Sequence, residues 1–107
     1  MPVLKSSVLD QFATDGYVAT GSLLTADEVD AFAPAIDRAV ARRTADETRA
    51  LADKSEYEQS FVQCMRLWET DPEVAPLTFH PVLAQAAAEL LGVDRVRLWQ
   101  DQALYKE

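Results

Sequence analysis

The run Arg95-Val96-Arg97-Leu98-Trp99-Gln100-Asp101-Gln102-Ala103-Leu104-Tyr105-Lys106 decides the fold class. Side chains alternate along an extended chain, so one face carries Val96, Leu98, Gln100, Gln102, Leu104 and Lys106, and the other Arg95, Arg97, Trp99, Asp101, Ala103 and Tyr105. The alternation predicts a strand over 95–106. Two glutamines and a lysine among aliphatics need partners if that face looks inward, or a ligand that supplies them. A lysine at the end of such a row suits a carboxylate, with glutamine amides fixing its orientation. The plainer reading is the solvated side of a half-exposed sheet.

Upstream, Val82, Leu83, Ala86, Ala87, Leu90 and Leu91 recur at helical spacing between His80-Pro81 and Gly92, which predicts a helix over 81–91. His80 is read as its N-terminal cap or as a surface residue. Asp71-Pro72-Glu73 has a cap, a proline at the first helical position and an acid in the first turn, and predicts a short helix over 72–78. Before it, alternation about Phe61, Gln63 and Met65 predicts a strand over 61–65. Thr25-Ala26-Asp27-Glu28 is spaced as a capping box, and Val29, Phe32, Ala33, Ile36 and Val40 form one apolar stripe of a helix over 25–42. Pro34 lies deep in that helix and predicts a kink or break. Ser6 and Ser7 open a helix over 6–15 closed by Gly16, and Tyr17-Val18-Ala19-Thr20 reads as a brief strand. Arg38 to Lys54 mixes five basic residues with Asp46, Glu47 and Asp53. A solvated helix face or connector is preferred there over an anion site. Together these elements predict an α+β fold.

Composition sets the bounds. The chain has 107 residues, 49% hydrophobic and 26% charged, enough for one ordinary globular domain. Eighteen acidic against ten basic residues give a net charge of −8, which repels phosphate backbones and anionic lipid heads, so neither nucleic acid nor a membrane is an expected partner. No apolar run approaches the ~20 residues of a bilayer span, and no basic-then-apolar leader is read, which makes cytoplasm the expected compartment. One cysteine, Cys64, excludes an internal disulfide, and one histidine, His80, cannot by itself supply a two-histidine iron site or a three-histidine zinc site. Trp68 and Trp99 are read as core or hinge packing. Asp27 with Glu28 is explained better as a pair of helix-start acids than as the centre of a small hydrolase.

Several blocks occur in a recognisable order. They are Phe12-x-x-Asp15-Gly16-Tyr17-Val18, Leu23-Leu24-Thr25-x-x-Glu28-Val29, Leu67-Trp68-x-x-Asp71-Pro72-x-Val74, His80-Pro81, Leu90-Leu91-Gly92 and the closing Arg97 to Glu107. In order and spacing the chain resembles the phytanoyl-CoA dioxygenase family, from about residue 8 to the last residue. The resemblance implies a non-haem Fe(II) and 2-oxoglutarate-dependent oxygenase acting on a small organic substrate. Its implied fold is N-terminal helices plus the first strands of a double-stranded β-helix, or jelly roll. It also implies that Gln102 and Lys106 contact 2-oxoglutarate and that Gln100 and Gln63 face the substrate. In that family a His-x-Asp pair follows shortly after the Tyr-Lys-Glu segment, with a distal histidine and an arginine beyond. The 107 residues contain none of these. Three predicted strands also fall short of an eight-stranded jelly roll at ~5–6 residues per strand. The expectation is therefore the front part of such a domain, inactive and without tight Fe(II) or 2-oxoglutarate binding on its own, and prone to self-association through the strand 95–106. The alternative expectation is a non-catalytic helical binding or regulatory module derived from that fold.

Overall fold

A computed structural model describes residues 2–106. Glu107, which ends the Tyr-Lys-Glu segment, lies outside the described residues. In chain order the elements are α1 (Ser6–Asp15), α2 (Ala26–Arg43), a single 3-10 turn (Leu51–Asp53), α3 (Glu56–Ser60), β1 (Val62–Met65), α4 (Leu67–Thr70), α5 (Ala75–Thr78), α6 (Pro81–Leu91) and β2 (Gln102–Tyr105). The described residues therefore have an α+β architecture with one two-stranded antiparallel sheet.

The chain divides into two compact units. The first comprises the residues up to Val29 together with Phe79–Leu98. Within it α1 packs on α6, burying Leu4, Ala86 and Ala88. The Glu89 carboxylate accepts from the backbone amides of Val3 and Leu4 at 2.9 Å each, which ties the N-terminal segment to α6. Both helices end on a glycine in the left-handed region, Gly16 at φ 79° and Gly92 at φ 67°, as their positions in the sequence predict. The Thr25 capping box forms as predicted: Glu28 N–H donates to Thr25 Oγ1 at 3.1 Å, and Thr25 N–H donates to the Glu28 carboxylate at 2.9 Å.

The second unit comprises Asp30–Thr78 and the described residues from Trp99 on. Its core is Ala39, Val40, Cys64, Leu67 and Val74, with Ile36, Val62, Ala103 and Tyr105 packed against it. Arginines on α2 fasten this core from outside. Arg38 pairs with Glu73 at 2.6 Å, and Arg42 pairs with the buried Asp71. Arg43 donates to the Met65 carbonyl and to Thr70 Oγ1, both at 2.8 Å.

Four expectations are corrected. Tyr17–Thr20 is not a strand: it is irregular, and Tyr17 is 72% exposed, with no strand among the described residues beside it to pair with its backbone. The strand over 95–106 shrinks to Gln102–Tyr105, since β1 offers only four residues to pair with. Residues 95–101 stay irregular, and Trp99, read as core or hinge packing, is 90% exposed. The helix over 72–78 shrinks to α5, with residues 72–74 forming a turn before it, and α4 ahead of that turn was not predicted. The Asp71 side chain is spent on Arg42 and Thr70 and not on a cap. Of the kink or break expected at Pro34, the break does not occur: the helix over 25–42 runs through it, without the hydrogen bond that Pro34 cannot donate.

Candidate functional site

The β1–β2 pair positions the candidate residues. Its register sets Val62 opposite Tyr105, Gln63 opposite Leu104, Cys64 opposite Ala103 and Met65 opposite Gln102. Val62, Cys64, Ala103 and Tyr105 turn to the core. Gln63, Met65, Gln102 and Leu104 therefore share the opposite face, and alternation puts Lys106 with them. Gln63, Gln102, Leu104 and Lys106 are exposed on it. The face predicted to carry the ligand-facing glutamines and lysine is thus the open one among the described residues, and the Tyr105 face is the buried one.

Two of the four sequence-predicted site residues meet there. Gln63 Nε2 donates to Gln102 Oε1 at 2.8 Å across the sheet. Tyr57, whose role the sequence did not signal, donates its hydroxyl to Gln63 Oε1 at 2.8 Å. The row Tyr57–Gln63–Gln102 is a polarised chain in which each amide is oriented by its neighbour. Lys106 is on the same face but outside this row, and Gln100 lies exposed in the irregular segment before β2.

The buried side of β2 holds the frame. Tyr105 donates its hydroxyl to Asp37 on α2, and that acceptor carboxylate, with burial second, pushes the phenol up to about 12. Asp101 fixes the chain just before β2. Its backbone carbonyl accepts from Arg66 N–H at 2.9 Å. One carboxylate oxygen accepts from Thr78 Oγ1 at 2.8 Å and from Trp68 N–H at 3.2 Å. The other carboxylate oxygen is buried without a hydrogen-bond partner. This anchoring of α4 by a residue 33 positions later has no local sequence signal, because it depends on where the sheet returns the chain.

Among the described residues no group of three or more His, Cys, Asp or Glu side chains is placed to hold a metal ion. His80 is occupied otherwise: Nδ1 accepts from Val82 N–H at 3.1 Å, capping α6 as predicted, and Nε2 meets the Glu28 carboxylate. The acceptor role of Nδ1 puts the proton of a neutral ring on Nε2, facing Glu28. Cys64 is buried, and that burial raises its thiol pKa, which suits packing better than nucleophilic chemistry. The residues present therefore do not fit an iron site. They do offer an oriented amide and an ammonium group on one face, which suits a carboxylate. No helix among the described residues is long and apolar enough to cross a membrane.

No protein-family model, curated protein or solved structure matches this chain.

Proposed function

We propose that this chain is the N-terminal portion of an Fe(II)/2-oxoglutarate-dependent dioxygenase that hydroxylates a small organic substrate. In this reading its helices and first strand pair belong to a jelly-roll fold. The supporting observation is the uncovered face of the β1–β2 pair, where Gln63 and Gln102 are hydrogen-bonded to each other on the side away from the core. An exposed polar row on a sheet of only two strands is what the front of a larger sheet presents before further strands cover it. In this reading Gln102 and Lys106 supply donors to a 2-oxoglutarate carboxylate, and Gln63 and Gln100 face the substrate. The iron ligands belong to other residues, so this chain by itself neither turns over nor binds Fe(II) and 2-oxoglutarate tightly. The free edge of β2 and the exposed 95–100 segment favour self-association when nothing covers them.

The test is the intact mass of the product of the native gene, followed by Fe(II)-dependent conversion of 2-oxoglutarate to succinate by that product. A mass well above 11.9 kDa with succinate formation is expected. A native product of 11.9 kDa that unfolds cooperatively as a monodisperse monomer overturns the proposal in favour of a non-catalytic module.

A further inference from the structure

The segment between α2 and β1, read from sequence as a solvated connector, borders an open pocket of about 510 Å³. The cavity lies within the second unit, in the size range of small-molecule sites. Its walls carry three cations, Arg43, Arg49 and Lys54, against two carboxylates, Glu47 and Glu58. The surplus is one positive charge, in a chain whose net charge is −8. The cations differ in what they have left to offer. Arg49 is spent on Glu47 at 2.9 Å and on Glu58, and these contacts hold both carboxylates well below their usual range, to about 2 each. Arg43 has committed its two terminal nitrogens to Met65 and Thr70. Lys54 has its backbone carbonyl fixed by Gln59 Nε2 at 2.9 Å, while its ammonium makes no salt bridge among the described residues and only adds, after Arg49, to the field that lowers Glu47. Beside it, Tyr57 and Phe61 stand with ring centroids 5.4 Å apart, an apolar wall that continues into Val62.

We propose that this cavity binds a small organic carboxylate with an apolar body. The carboxylate pairs with the Lys54 ammonium, and the body lies against Tyr57 and Phe61. The frame is built before any ligand arrives. The Ser55–Glu58 capping box fixes α3, the Tyr57 hydroxyl is tied to Gln63, and the Arg49 pairs close the rim, so binding orders little besides the Lys54 side chain. The site excludes Gln100, Gln102 and Lys106 but shares Gln63 with the proposed substrate face, and its Lys54 readout does not rest on the oxygenase reading.

The test is a titration of the ¹⁵N-labelled full chain with 3-phenylpropanoate, followed through the backbone amides of residues 43–64. Saturable shifts are expected with a dissociation constant on the order of millimolar, normal for so small a ligand. The neutral 3-phenylpropanamide should bind at least about five-fold more weakly. Lys54→Met should weaken the acid by about three- to ten-fold, and Lys54→Arg should restore it. Absence of saturable shifts, equal binding of acid and amide, or an unchanged constant in Lys54→Met overturns the proposal. Inorganic phosphate producing the same shifts at the same concentration also overturns it, since the apolar body would then contribute nothing.

Discussion

Arg42 and Asp71, 29 positions apart, form an ion pair in which the guanidinium is half exposed and the carboxylate is buried. The Arg42 hydrogen bonds, with Thr70 second, hold the Asp71 carboxyl below its ordinary pKa. Removing the cation leaves a buried carboxylate with only Thr70, whereas neutralising the acid leaves an arginine that water can reach. Arg42→Ala should therefore destabilise the chain by about 1–3 kcal/mol and Asp71→Asn by less. Urea denaturation of both variants and of the double variant checks this, and the double variant should cost less than the two singles together. An Arg42→Ala midpoint equal to that of the parent chain would refute it.

The acid limb of stability follows from carboxyls whose pKa values are lowered in the folded chain. Glu47 and Glu58 fall to about 2 from 4.5 beside Arg49. Glu28, held first by the Thr25 amide and then by His80, is lowered too, as is Glu73 beside Arg38. A lowered folded value means that the unfolded chain binds more protons between the two values, so stability is present above about 4.5 and is lost as pH falls towards 2. These groups are exposed, and added salt should shrink the effect. Urea midpoints across pH 2 to 6, at low and high salt, provide the measurement.

At the alkaline end the sign reverses. Tyr105 rises from 10.0 to about 12 because its hydroxyl donates to Asp37, so its contribution is present below pH 10 and is lost as pH climbs through 12. Tyr105→Phe should remove that limb and leave the acid one intact. A steep alkaline loss persisting in Tyr105→Phe would assign it to another group.

Arg66 is the only described non-glycine residue with positive φ, at 57°. It turns the chain from β1 into α4 while its N–H donates to the Asp101 carbonyl. Glycine keeps that N–H and removes the strain on Cβ, at the cost of a looser unfolded chain. Arg66→Gly should thus be neutral or stabilising by up to about 1 kcal/mol. Loss of more than that in thermal unfolding would show that the Arg66 side chain carries an interaction of its own.

Trp99, in the irregular segment before β2, and Leu104, on the open face of β2, expose 90% and 48% of their surface. Sedimentation velocity over a concentration series should show reversible association. Leu104→Lys should suppress it without lowering the unfolding temperature by more than a few degrees. A parent chain that stays monomeric at all concentrations would remove the basis for this prediction.

The sequence by itself determined the elements whose signals are local. Gly16 and Gly92 end helices because only they take positive φ cheaply, Thr25 with Glu28 closes a capping box three residues wide, and His80-Pro81 caps and opens α6. The period-two reading also put Gln102, Leu104 and Lys106 on one face, which the register with β1 bears out for Gln102 and Leu104. What needed the tertiary structure was everything fixed by a partner distant along the chain. Only the four residues of β1 limit β2 to Gln102–Tyr105, and without a neighbour Tyr17–Thr20 remains irregular despite its β-forming residues. The face turned to the core is settled by Ala39, Val40 and Leu67, so alternation alone could sort the side chains of β2 but not say which set would be buried. The arginines of α2 read as a solvated stripe, since charge pattern carries no record of Glu73, Asp71 or the Met65 carbonyl folding back to meet them. Hydrogen bonds and ion pairs act over a few ångströms in space, and positions 29 or 39 apart come within that range only when packing brings them there.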